Sequence, residues 1–171
     1  MTARIAGAVY LLYFVTAIAA QTSNSDALNV VSYAFYAVLA VMFYRIFKPV
    51  SKSLSLIAAL LALAGCTTSV LGIFHLVPTA FNPLVFFGPY CLLIGYLIVR
   101  SALLPKPIGA LLMGAGLGWL IFLSPLGTVL TLPIEALGVL AEALLMIWLL
   151  VFGLTPKLFG LRIQLGRKRS V

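Results

Sequence analysis

The stretch from Leu54 to Val77 reads LSLIAALLALAGCTTSVLGIFHLV and contains no Asp, Glu, Lys or Arg. A helix needs about 20 mostly apolar residues to cross about 30 Å of hydrocarbon, so this stretch predicts a membrane-spanning helix. Further apolar runs lie on both sides of it, separated by short polar or proline-containing connections. The predicted helices cover residues 5–20, 27–47, 54–77, 84–103, 108–123 and 133–154.

The composition supports the same interpretation for the whole chain. Of its 171 residues, 64% are hydrophobic and only 8% are charged, whereas roughly a quarter of the residues in a soluble domain are charged. The runs account for almost the whole length and leave no room for an extramembrane domain. We therefore predict one all-α domain, a polytopic bundle of six transmembrane helices over residues 1–154, followed by a basic tail over residues 155–171.

The positive charges predict the orientation of this bundle. None of the eleven Lys and Arg residues falls in the first, third or fifth connection. They lie at the N terminus, in the second and fourth connections and in the tail: Arg4, Arg45, Lys48, Lys52, Arg100, Lys106, Lys157, Arg162, Arg167, Lys168 and Arg169. Basic residues collect in cytoplasmic loops, so both termini are predicted to be cytoplasmic. We therefore interpret the net charge of +8 as basic residues that contact the lipid bilayer, and nucleic acid is not an expected partner.

Two segments near the termini carry further expectations. The run over residues 5–20 ends in Ala17, Ile18, Ala19 and Ala20, which imitates a signal peptide with its small-residue cleavage site, but we interpret it as the first helix. The tail mixes apolar and basic residues, as segments lying in an anionic headgroup layer do. Its candidate lipid-headgroup contacts are Arg162, Arg167, Lys168 and Arg169.

Glu142 is the clearest candidate for chemistry within the hydrocarbon region, where ionisable side chains are costly. It follows Pro133 by nine residues, which places it about 13 Å below the outer end of its helix. It is expected to face Tyr90 and a small polar cluster, with which it would line a narrow polar cavity that opens to the outside. The cluster consists of Cys66, Thr67, Thr68 and Ser69. His75 lies near the outer surface and is a weaker ligand-binding candidate, because a lone histidine more often has a structural role.

No pattern predicts a metal or a catalytic centre. Metal sites bring together three or four His, Cys, Asp or Glu ligands, and here His75, Cys91, Glu135 and Glu142 are scattered over several runs. No Walker A motif, glycine-rich phosphate loop or Ser-His-Asp triad is visible. The sequence leaves cofactors and enzymatic activity open and favours a non-enzymatic protein.

Gly114 and Gly118 form a GxxxG pattern within the fifth run. This spacing lets two helix backbones approach closely. We interpret it as packing within the bundle, with a dimer face as the alternative.

Parts of the sequence resemble a known family. Residues 4–12, RIAGAVYLL, resemble the opening of the bacterial family of uncharacterised membrane proteins called DUF4386. Residues 86–101, FFGPYCLLIGYLIVRS, with LPKPIG at 104–109, are similar to its middle segment, and residues 141–153, AEALLMIWLLVFG, to its last helix. The resemblance implies six membrane helices, a multi-pass location in the bacterial inner membrane and no established activity.

Two functions from different classes follow as hypotheses. The first is a non-enzymatic accessory or interaction subunit that packs against a protein partner or copies of itself, since small residues abound and ionisable ones are scarce. The second is a small transporter or a protein that binds lipids or lipophiles, with an outward-facing pocket near Glu142. An intramembrane enzyme with a single acid or a bound redox cofactor is a third and less favoured hypothesis.

Overall fold

A computed structural model describes residues 2–78, 82–101 and 103–154 of the chain. These ranges form α-helices with one short 3-10 helix at Pro125–Thr128, and they contain no strand. The α-helices are α1 (Thr2–Ser23), α2 (Asp26–Phe47), α3 (Lys52–Ile73), α4 (Leu84–Arg100), α5 (Lys106–Ile121) and α6 (Thr131–Val151). The all-α prediction is therefore confirmed for this part of the chain.

Helices α1, α2, α3 and α6 are each long and apolar enough to cross a membrane, whereas α4 and α5 have only 17 and 16 residues. At about 1.5 Å per residue, each of these two shorter helices is about 25 Å long. The outer faces of the helices are apolar, as Ile18 (59% exposed), Leu60 (57%) and Val139 (57%) show. Apolar surface of this kind fits contact with a lipid bilayer.

The helices are arranged as a closed ring in chain order. Each helix packs against the next one, and α6 packs against both α5 and α1. Glycine permits the closure of this ring, because a β-carbon on Gly7 in α1 would lie 2.7 Å from the backbone nitrogen of Leu150 in α6. At the same end, the Arg4 guanidinium donates a hydrogen bond of 3.4 Å to the Val151 carbonyl oxygen.

Two pairs of glycines bring α4 and α5 together. A β-carbon on Gly95 would lie 2.5 Å from the Gly109 carbonyl oxygen, and one on Gly88 would lie 3.2 Å from the Gly116 carbonyl oxygen. The members of each pair are related reciprocally, and the pairs are seven residues apart on both helices. Seven residues are close to two helical turns, so both pairs lie on the facing sides of two antiparallel helices.

The helix ends follow local capping rules. Ser25 and Ser51 cap α2 and α3, their hydroxyl oxygens accepting from the backbone N–H groups of Leu28 and Leu54 at 3.4 Å. Asn24 precedes Ser25 with a φ of 51°, a conformation that asparagine tolerates better than most residues. These two residues make the turn between α1 and α2 very short.

Candidate functional site

A cavity of about 340 Å³ lies within the ring of helices. Each of the six α-helices supplies at least one lining residue, and so does the segment just before α4. Its lining residues are Tyr13, Tyr33, Tyr36, Ser69, Asn82, Pro83, Leu84, Phe87, Cys91, Trp119 and Glu142. A volume of this size is near the lower end for sites that bind small molecules.

The cavity runs from one end of the bundle to its middle. Asn82, Pro83 and Leu84 lie where α4 begins, and Asn82 is exposed. Glu142 lies at the other limit, about 16 Å along α6 at about 1.5 Å per residue. Because α6 is about 31 Å long by the same rise, this carboxyl group is close to mid-depth.

Glu142 is held by tyrosines from other helices. The Tyr36 hydroxyl of α2 donates a hydrogen bond of 3.3 Å to Glu142 Oε1. Tyr10 of α1 lies close to the same carboxyl group. Tyr90 of α4 packs against Tyr36, with ring centres 5.8 Å apart. The carboxyl group therefore lies among tyrosines of neighbouring helices, and its hydrogen bond with Tyr36 joins α6 to α2.

Aromatic rings form the cavity wall beside Glu142. The Tyr36 ring lies 4.8 Å from that of Tyr13, 5.5 Å from that of Phe87 and 5.8 Å from that of Tyr90, each edge to face. Such contacts contribute about 0.5–1.5 kcal/mol each beyond the burial of area. The wall is therefore a packed cluster centred on Tyr36.

Two glycines make room for lining rings. A β-carbon on Gly138 of α6 would lie 2.5 Å from Cζ2 of Trp119, and one on Gly65 of α3 would lie 2.9 Å from the Phe87 ring. Both rings therefore lie directly on the backbone of a neighbouring helix. This contact fixes how far they extend into the cavity.

The four ligand-binding candidates predicted from the sequence have different positions. Glu142 and Ser69 line the cavity, and Ser69 is buried. Tyr90 is buried behind the wall, in contact with Tyr36. His75 is exposed, is not among the lining residues and adopts a φ of 55° just after α3. The Leu76 N–H donates to the Leu71 carbonyl oxygen at 2.9 Å, which makes His75 the left-handed residue of a helix C-cap.

The remaining candidates lie elsewhere. Gly118 is buried, and a β-carbon on it would lie 3.0 Å from the Ile134 side chain of α6. A β-carbon on Gly114 would lie 3.6 Å from the Leu137 side chain of the same helix. Both glycines therefore face α6. Arg162, Arg167, Lys168 and Arg169 lie outside the described residues. Within the described ranges, no group of three or more His, Cys, Asp or Glu side chains is placed to hold a metal ion.

Most of the aromatic wall was not predicted from the sequence. Tyr10 and Tyr13 are three residues apart in α1, and Tyr33 and Tyr36 are three apart in α2. This spacing places each pair on one helix face, which was a usable signal. Trp119 had no comparable signal, since its role depends on the packing of α5 against Gly138.

Comparison with known proteins supports the family resemblance. Residues 79–153 match the family described as domain of unknown function DUF4386. The predicted resemblance to DUF4386 is thus confirmed over α4, α5 and α6, which carry Phe87, Trp119 and Glu142. An uncharacterised protein of Archaeoglobus fulgidus is 35% identical over 91 residues, which cover 48% of this chain and 55% of the relative. The chain thus spans about half the length of that relative, and no solved structure matches it.

Proposed function

We propose that this protein is a multi-pass membrane protein that binds a small lipophilic molecule in an outward-facing cavity beside Glu142, as a transporter or a binding protein. The observation that carries the proposal is the cavity itself. It combines apolar aromatic walls with one carboxyl group and a few other polar atoms, which is the usual composition of small-molecule sites. A carboxyl group at mid-depth in a membrane protein is by default a functional hypothesis.

The orientation belongs to this proposal. All six α-helices are taken to cross one membrane as a single domain, with both termini cytoplasmic, in a bacterial inner membrane or its archaeal equivalent. The distribution of Lys and Arg supports this orientation. Two cation–aromatic pairs add to it, Lys48 over Tyr44 and Arg100 over Tyr96, each with the charge 5.9 Å from the ring centre. Both pairs lie at the end of the bundle that also holds Arg4, opposite Asn82.

The accessory-subunit hypothesis has lost one of its supports. It was motivated by small residues, and in the bundle Gly7, Gly88, Gly95, Gly109 and Gly116 all face neighbouring helices of the same chain. These glycines therefore do not indicate a partner surface. An interaction with a protein partner or a second copy stays a hypothesis without a specific observation in its favour.

The test is chemical access to the cavity from outside. In a protein that lacks both natural cysteines (Cys66→Ala, Cys91→Ala), Ser69→Cys places a thiol on the cavity wall. The matched control is Thr67→Cys, because Thr67 lies two residues away on the exposed face of the same helix. Both proteins are treated in intact cells with a small, membrane-impermeant methanethiosulfonate reagent.

We expect Ser69→Cys to react and Thr67→Cys not to react, since a side chain facing hydrocarbon is not reached by a hydrophilic reagent. Reaction of Thr67→Cys at the same rate would show that this face meets water rather than lipid. A Ser69→Cys protein that is inert from outside, but reacts in detergent, would overturn the outward-facing cavity.

A further inference from the structure

Aromatic rings make up a large part of the cavity wall. Five of the lining residues carry aromatic rings: Tyr13, Tyr33, Tyr36, Phe87 and Trp119. Aromatic faces attract cations through the ring quadrupole, and cages of such rings recognise quaternary ammonium groups. The attraction increases when the site is desolvated.

The ionisable carboxyl group of Glu142 has no positively charged partner in the described lining of the cavity. Among the lining residues that the structure describes, Glu142 is the only one with an acidic or basic side chain apart from tyrosine and cysteine, and none of them is Lys, Arg or His. No described positive group therefore neutralises the carboxylate. Glu142 is half-buried near mid-depth, and a charge partly withdrawn from water without an opposite charge is costly, so the empty site favours the uncharged carboxyl group.

We infer that the cavity binds a small organic cation, of the tertiary or quaternary ammonium class, and that binding displaces the proton of Glu142. This inference rests on the proposed function, and it names the chemical class of the ligand. The exchange is balanced: the carboxylic acid loses one proton to water, and the resulting carboxylate faces the single positive charge of the ligand. The net charge inside the cavity is zero before and after binding.

Of the titratable groups in and around the cavity, Glu142 is the one that can release the exchanged proton. The titratable side chains that interact with it are Tyr10 and Tyr13 from α1, Tyr36 from α2, and Tyr90 and Cys91 from α4. Cys66 of α3 lies near the same tyrosines. Tyrosines and thiols lose their protons only in alkaline solution in the absence of a positive neighbour. Near neutral pH the carboxyl group is therefore the proton donor.

The test compares two ligands of the same shape. Phenyltrimethylammonium carries a quaternary nitrogen, and tert-butylbenzene has a carbon atom in its place and no charge. The readout is the fluorescence of Trp119 in a Trp148→Phe protein held in lipid nanodiscs. Trp148 is the other tryptophan of the chain, and its Nε1 has no hydrogen-bond partner within the described residues. Replacing it therefore removes no described hydrogen bond.

We expect the cation to bind at least about tenfold more tightly than its neutral isostere, with an affinity that rises as the pH is raised from 5 to 8. One exchanged proton predicts a slope of up to about tenfold per pH unit. In Glu142→Gln, the preference for the cation and the pH dependence should both disappear, while the weak binding of tert-butylbenzene stays. The unchanged neutral ligand shows that the variant is folded.

A second measurement uses the Ser69→Cys protein. A cationic methanethiosulfonate should react faster than an anionic one of similar size, and Glu142→Gln should abolish the difference. Equal binding of the two isosteres, or a pH dependence that survives in Glu142→Gln, would overturn the inference and leave the cavity in place. If neither ligand binds while Ser69→Cys still reacts from outside, the inference that the cavity binds an organic cation is also refuted. If Ser69→Cys is inert as well, the proposed function itself fails.

Discussion

A β-carbon on Gly95 would lie 2.5 Å from the carbonyl oxygen of Gly109, and one on Gly109 would lie 2.7 Å from the carbonyl oxygen of Gly95. The two residues hold the backbones of α4 and α5 as close as two helices can approach. The atoms that meet belong to the main chain, so they cannot move aside by changing a rotamer.

We therefore expect Gly95→Ala to lower the stability of the bundle by about 1–3 kcal/mol, the usual cost of overpacking. Thermal unfolding in detergent, followed by tryptophan fluorescence, measures the change. Gly114→Ala is the matched control on α5, because its nearest neighbour would be 3.6 Å away, and its unfolding temperature should not fall. Equal effects of the two variants would contradict the close approach at Gly95.

The hydrogen bond between Tyr36 and Glu142 predicts an energetic coupling. Hydrogen bonds between membrane helices contribute about 0.6 kcal/mol on average, and we expect a coupling of this size in a double-mutant cycle of Tyr36→Phe and Glu142→Gln. Reversible unfolding in mixed micelles gives the free energies. Tyr33→Phe is the control, since Tyr33 lines the same cavity without a described hydrogen bond to Glu142. A coupling in the control as large as that of Tyr36 would show that the effect is not specific.

The position of His75 predicts that this residue is dispensable for binding. Its φ of 55° is unfavourable for a residue with a β-carbon by roughly 1–2 kcal/mol and suits glycine. His75→Gly should therefore raise the unfolding temperature slightly and leave phenyltrimethylammonium binding unchanged. Loss of binding in this variant would return His75 to the candidate site. His75→Ala provides the comparison, because it removes the imidazole and keeps the strained backbone.

The contact of Trp119 with Gly138 predicts that the cavity can be narrowed from α6. A β-carbon in Gly138→Ala would meet Cζ2 of the indole at 2.5 Å, and the rigid ring must move. We expect a shift of Trp119 emission in the Trp148→Phe background and weaker ligand binding. Gly72→Ala serves as the control, since its nearest neighbour is 3.9 Å away. Unchanged emission in Gly138→Ala would mean that the indole does not lie on α6.

The orientation predicts which connections are accessible from outside. In the cysteine-free protein, Ser23→Cys at the end of α1 should react with an impermeant maleimide in intact cells. Pro49→Cys, in the connection between α2 and α3, should react only after the membrane is permeabilised. The reversed result would place both termini outside and would open the cavity to the cytoplasm.

The span of the helices could be predicted from the sequence better than their ends. Long apolar runs identify the helices because hydrocarbon cannot satisfy an irregular backbone. The ends depend on local detail: α3 ends at Ile73 rather than at the predicted Val77, because the chain turns at His75. The N-cap of α2 is Ser25, and the neighbouring Asp26 is the first residue of the helix. Serine hydroxyls are as effective as carboxylates in this position.

The candidate site was predicted in part. Glu142 and Ser69 line the cavity, because a costly or polar residue within an apolar run is visible in the sequence. The order of helices around the ring is not visible, since it depends on Gly7 meeting α6 and on Gly88 and Gly95 meeting α5. Which tyrosines face Glu142 follows from that order. The sequence therefore identified the carboxyl group and not the aromatic residues around it.

The doubled glycine contact between α4 and α5 also limits how the cavity could open and close. Two contacts seven residues apart fix both the separation and the rotation of the pair, so we expect these helices to move as one rigid body. Phe87 and Trp119 belong to this body, one on each helix, and they keep their spacing in any conformational change. If the proposed function is transport, we expect alternating access to Glu142 to occur by sliding where this body meets α3 and α6.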